Sequence, residues 1–183
     1  WIDLVTATTL SLGDPQYIRV PRVYINRGSQ LGVWQGFLYD DALRIDDTVW
    51  QGGQRFCSVA AGDIDGDGDI DLLVQGRDAT VRLFVNHAES IAKRHWAKFR
   101  PVGIGADRNA IGLQIDVDNG HAVQWRQVEC GSAYKSQSST VLHVGLGDVM
   151  VMSSVVARWP NGGGTRTLLH YGADRTWALV PPV

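Results

Sequence analysis

The chain of 183 residues is 44% hydrophobic and 20% charged, with a formal net charge of −2, so it is a globular sequence with a core to bury. The near-neutral balance and the lack of any Lys/Arg run exclude a nucleic-acid or membrane-surface partner held by bulk charge, and no stretch approaches the ~18 apolar residues needed for membrane insertion. The acidic residues are seventeen Asp against two Glu, and Asp favours turns and ligand positions over helices.

The chain opens at Trp1 without a methionine, which we read as a processed or truncated start. Trp1-Ile2-Asp3-Leu4-Val5 returns as Asp69-Ile70-Asp71-Leu72-Leu73, and Val23-Tyr24-Ile25-Asn26 returns as Leu83-Phe84-Val85-Asn86. The offsets, 68 and 60 residues, differ by an insertion near 11–19, where Gly13, Asp14 and Pro15 mark a loop. Repeats of this length belong to propeller blades or stacked arrays, whose units bury their faces against neighbours. Residues 1–90 hold too little of such a repeat to close a propeller, so neighbouring sequence or another chain is expected to complete them.

Residues 63–71 read Asp-Ile-Asp-Gly-Asp-Gly-Asp-Ile-Asp. Hard cations take carboxylate and carbonyl oxygens, and alternate Asp residues around small glycines aim several oxygens at one point. In this loop Asp63, Asp65 and Asp67 are expected to supply side chains, Asp69 its backbone carbonyl and Asp71 a closing carboxylate, with Gly66 and Gly68 permitting the turn. An EF-hand does not fit, because its closing Glu falls on Val74 and a strand follows where a helix is required. Without a counter-ion the carboxylates repel, whereas a bound divalent cation turns that repulsion into folding free energy. Ca2+ is therefore the expected cofactor.

Further along, Val81, Leu83 and Val85 alternate with Thr80, Arg82 and Phe84, and Leu113, Ile115 and Val117 alternate with Gln114, Asp116 and Asp118, so both runs read as half-buried strands. Between them Ala88 to Lys98 is the single, weak helical candidate. Asn119-Gly120 signals a hairpin, and Asn161-Gly162-Gly163-Gly164 after Trp159-Pro160 a second turn. The chain reads as all-β.

Cys57 and Cys130 form no Cys-x-x-Cys pair, which excludes an ordinary thiolate zinc site. They are either two free thiols or one disulfide, whose long loop would stabilise by roughly 4 kcal/mol. His87, His95, His121, His143 and His170 lack metal-ligand spacing. No nucleophile elbow or dinucleotide fingerprint is present, so no catalytic or organic-cofactor residues are assigned and the chain is not expected to be an enzyme. Seven tryptophans serve either the core or a sugar-stacking surface.

The segment from Val59-Ala60-Ala61-Gly62-Asp63 to Asp71-Leu72-Leu73-Val74 resembles an FG-GAP (VCBS) repeat of integrin-type β-propellers, in which the loop joins two strands of a blade and binds calcium. Gly105-Ala106-Asp107-Arg108-Asn109-Ala110-Ile111-Gly112, Gly131-Ser132-Ala133-Tyr134-Lys135-Ser136-Gln137-Ser138, Val144-Gly145-Leu146-Gly147 and Arg158-Trp159-Pro160-Asn161-Gly162 stand in the order seen in the ASPIC/UnbV domain. That domain follows FG-GAP repeats in secreted proteins of the cartilage acidic protein type. Cys130, just before Gly131, departs from the pattern. The resemblance implies a partial β-propeller over 1–90, followed by a small β-sandwich or barrel-like domain over 91–183. It also implies a secreted, extracellular adhesion or assembly module with structural calcium and a protein or glycan partner, self-assembly included. The alternative is a polysaccharide-binding or polysaccharide-processing accessory domain.

Overall fold

The computed structural model describes residues 3–6, 22–39, 56–76, 81–88 and 94–182, the side chains of Phe56 and Cys57 excepted. Trp1 and Ile2 of the repeat, Thr80, the insertion near 11–19 and the Cys57 thiol lie outside the described residues. All regular elements among the described residues are strands, in agreement with the all-β expectation. No closed propeller is found among them, and no helix is long and apolar enough to cross a membrane.

The chain divides into two compact units, both discontinuous in sequence. The first takes the described residues up to Ala60 together with Leu72–Phe84 and Ala133–Gln137. Its strands begin with β1 (Leu4–Thr6), β2 (Arg22–Asn26), β3 (Ser29–Gln30), β4 (Val33–Trp34) and β5 (Phe37–Tyr39). Strands β1, β2 and β5 form an antiparallel sheet in that order, and β3 and β4 form a hairpin. The hairpin turns at Leu31-Gly32, both with positive φ (52° and 78°), the conformation whose twist matches the flanking strands. Next come β6 (Phe56–Gly62), β7 (Asp71–Gly76) and β8 (Val81–Phe84), a sheet ordered β6-β7-β8. Among its described residues Val74 is a fully buried apolar side chain, packed by Val59, Leu72 and Phe84. In β8 it is Phe84 that turns inward, while Val81 and Leu83 stay exposed.

The second unit takes Ala61–Asp71, Val85–Ser132 and the chain from Ser138 onward. It contains β9 (His95–Pro101), β10 (Gln114–Asp118), β11 (Val123–Gln127), β12 (Leu142–Gly147), β13 (Val151–Arg158), β14 (Thr165–Gly172) and β15 (Arg175–Leu179). These make a four-stranded sheet, β11-β10-β13-β14, and a three-stranded sheet, β12-β9-β15, in which β15 runs parallel to β9. Both sheets contribute to one core. Phe99 and Ala97 come from β9, Val144 from β12, Leu179 from β15, Ile115 and Val117 from β10, and Met152, Val155 and Ala157 from β13.

The Leu113-to-Asp118 alternation is realised as β10, with Leu113, Ile115 and Val117 fully buried. Asn119-Gly120 closes the β10–β11 hairpin, where Gly120 takes φ 84°. Residues 161–164 turn β13 into β14, with the Trp159 amide donating to the Gly164 carbonyl at 2.9 Å. The helical candidate is corrected over its end, which from His95 onward is strand β9, while its residues 89–93 lie outside the described residues. Ala97 and Phe99 are buried on one face while Trp96 and Lys98 take the other, a period of two rather than 3.6. On β12, the outer strand of its sheet, the carbonyls of His143 and Gly145 accept hydrogen bonds from Arg126 Nε (3.1 Å) and Gln124 Nε2 (2.7 Å). Cys130 is an exposed free thiol.

Candidate metal centre

The acidic loop leaves β6 at Gly62 and enters β7 at Asp71. Its backbone is folded by its own carboxylates. Asp63 accepts the amides of Gly66 (Oδ1, 2.6 Å) and Gly68 (Oδ2, 2.9 Å), Asp65 accepts that of Asp67 (3.2 Å), and Asp67 accepts that of Asp69 (2.8 Å). Gly66 and Gly68 hold φ of 89° and 100°, values that L side chains rarely adopt.

Asp71 is fully buried. One of its oxygens accepts the amide of Ile64 at 2.7 Å and the other that of Asn86 at 2.9 Å. The start of the loop and the chain beyond β8 are thereby tied to one carboxylate. The same bond stands in the first sheet, where Asp3 accepts the amide of Asn26 at 2.9 Å. Leu4 is there paired with Tyr24, as Leu72 is with Phe84. The sequence repeat is therefore also a repeat of hydrogen bonding and strand register.

Of the five Asp residues expected as ligands, the structure brings Asp63, Asp65 and Asp71 together, with one oxygen from each lying within 4.8 Å of the others. The Asp67 carboxylate is not in that cluster, and Asp69 is expected at the ion through its backbone carbonyl rather than its carboxylate. Three carboxylates converging with no nitrogen or sulfur donor among them suit a hard divalent cation, so the donor set fits a metal ion.

Three residues of the second unit that sequence reasoning did not attach to the loop also touch it. Lys98 Nζ lies 2.5 Å from Asp63 Oδ2, with side-chain exposures of 13% and 2%. His143 Nε2 lies 2.6 Å from the Gly68 carbonyl, and since a carbonyl only accepts, this nitrogen carries the proton. A Cβ on Gly68 would come within 1.9 Å of Trp96 Nε1. Burial pushes the Asp63 carboxyl up, but Lys98 and the amides of Gly66 and Gly68 together outweigh it and hold the group below its ordinary value. His143 is held below its ordinary value chiefly by burial. The signal available in sequence was the period-two pattern of His95 to Phe99, which places Trp96 and Lys98 on one face.

Fold and site thus define an all-β protein with an acidic, oxygen-only loop at a strand junction. Residues 103–183, less than half of the chain, match the family described as ASPIC and UnbV. No FG-GAP or VCBS repeat is detected, and no curated protein matches the chain. The matched segment holds β10 to β15 and leaves out β9, the middle strand of the three-stranded sheet.

Proposed function

We propose that the chain is a non-enzymatic, extracellular adhesion or assembly module in which Ca2+ bound at the 63–71 loop holds an FG-GAP-like blade together. The convergence of Asp63, Asp65 and Asp71 carries this reading. The repeated Asp3–Asn26 and Asp71–Asn86 bonds support the blade-like part of it. Weak calcium affinity, about 10⁻⁴–10⁻³ M, suits an extracellular module. Calorimetric titration of the metal-free chain with CaCl2, alongside melting curves with and without EDTA, tests the reading. Binding together with a lower melting temperature in EDTA is expected, and a flat titration with an unchanged melt rejects it.

The second reading, a polysaccharide-binding accessory, draws on Trp125, which is 50% exposed on β11. Opposite it on β10 is Asp116, paired with Arg158 at 2.7 Å. An indole beside planar polar groups suits a sugar ring, and a glycan array comparing the chain with Trp125→Ala decides between the two readings.

A further inference from the structure

The acidic loop is gripped at both its root and its tip by the unit that carries the ASPIC/UnbV match. At the root, Ser138 Oγ accepts the Ala61 amide at 3.2 Å, and the Ser139 amide donates to the Ala61 carbonyl at 3.0 Å. At the tip, the Lys98 ammonium meets Asp63, the His143 imidazole meets the Gly68 carbonyl, and the Trp96 indole fills the space a side chain at Gly68 would need. The three tip residues form one surface. Lys98 and His143 are cross-strand partners on β9 and β12. Lys98 Nζ stands 4.5 Å from the Trp96 ring centroid, and the Trp96 and His143 rings lie 22° from parallel.

We infer that Trp96, Lys98 and His143 are a built-in receptor for the loop, with Lys98 as its resident counter-ion. The loop keeps its closed form without a divalent ion, and a divalent ion that takes Asp63 Oδ2 as its ligand displaces the Lys98 ammonium from it. A cation over an aromatic face with little access to water is held in place. A lysine whose charge is spent on Asp63 lowers the net negative charge available to an incoming cation, and affinity in oxygen-donor loops follows ligand charge. The displacement part rests on the calcium reading, whereas the receptor part does not.

The test uses the full chain and the variants Lys98→Met and Lys98→Arg. In EDTA, amide exchange is read at Gly66 and Gly68, which donate to Asp63. Lys98→Met is expected to speed exchange at both by about tenfold or more, while Lys98→Arg keeps them protected. Unchanged exchange in Lys98→Met overturns the receptor. In calcium titrations, Lys98→Met is expected to bind about tenfold more tightly than the natural chain. Equal or weaker binding overturns displacement while leaving the calcium reading standing. Binding by neither protein rejects the calcium reading and displacement together, and the exchange result in EDTA then decides the receptor alone.

Discussion

Asp71 joins Asn86 across the β7–β8 pair through a carboxylate-to-amide hydrogen bond that Asp3 and Asn26 repeat in the first sheet. The second Asp71 oxygen holds Ile64, so one buried charge fixes both the loop and the chain leaving the hairpin. Asp71→Asn leaves one oxygen to serve two amides and faces a donor NH2 toward one of them. Hydrogen bonds to charged groups are worth about 1.5–3 kcal/mol each, so a loss of about 2–3 kcal/mol is expected in urea unfolding. An unchanged midpoint would show that the carboxylate charge is dispensable.

Gly68→Ala meets two obstacles, a φ of 100° and an indole atom 1.9 Å from the new methyl group. Backbone strain alone costs about 1–3 kcal/mol. The variant should lose stability and the His143 contact to the Gly68 carbonyl, visible as a shifted imidazole resonance. Adding Trp96→Ala should recover the steric part and leave the backbone part.

Stability should fall in two steps on the acid side. Burial holds His143 below its ordinary value of 6.5; contact with the Gly68 carbonyl and Asp63 opposes this, while Lys98 and Arg126 reinforce it. A base depressed in the folded state contributes stability that is complete above its unfolded value and is lost as pH falls from there through the folded one. Asp63 is also depressed, so its contribution is present above 3.8 and is lost as pH falls through its lower folded value. Urea midpoints followed from neutral to strongly acidic pH should show both steps, and His143→Gln should remove only the first.

A chain beginning at residue 103 discards Ala97 and Phe99, both fully buried. Phe99→Ala alone is expected to cost about 3–5 kcal/mol. The 103–183 segment should therefore lack the sharp aliphatic proton dispersion of a packed core. A chain from residue 94 should retain it, and equal dispersion in both would place the core elsewhere.

Local signals carried much of this fold in the sequence. Ile115 and Val117 alternate because one face of β10 meets a core and the other meets water, and Asn119-Gly120 opens the hairpin loop because Gly120 takes a positive φ and the Asn119 side chain accepts the amides of His121 and Ala122. The acidic loop was legible because five Asp at alternate positions have few other uses, and the Asp3/Asp71 echo marked residues whose bonding is the same. Which carboxylates converge was not legible, since the turn that sends Asp63, Asp65 and Asp71 to one point and Asp67 elsewhere is set by backbone angles. Lys98 and His143 were hidden for another reason. They lie 35 and 75 residues from their partners, and only strand pairing brings them there. The end of the helical candidate, His95 to Lys98, is a strand because burial of Ala97 and Phe99 in the second unit's core overrode local propensity.

The bonds that Arg126 and Gln124 make to the His143 and Gly145 carbonyls bear on how this module can associate. A strand joining a sheet from another chain needs free carbonyls along an outer strand, and on β12 two of them are already engaged. Side chains here act as a stopper on that border. If copies of the protein extend one another's sheets, the joining strand meets less obstruction along the other border of this sheet, β15, than along β12.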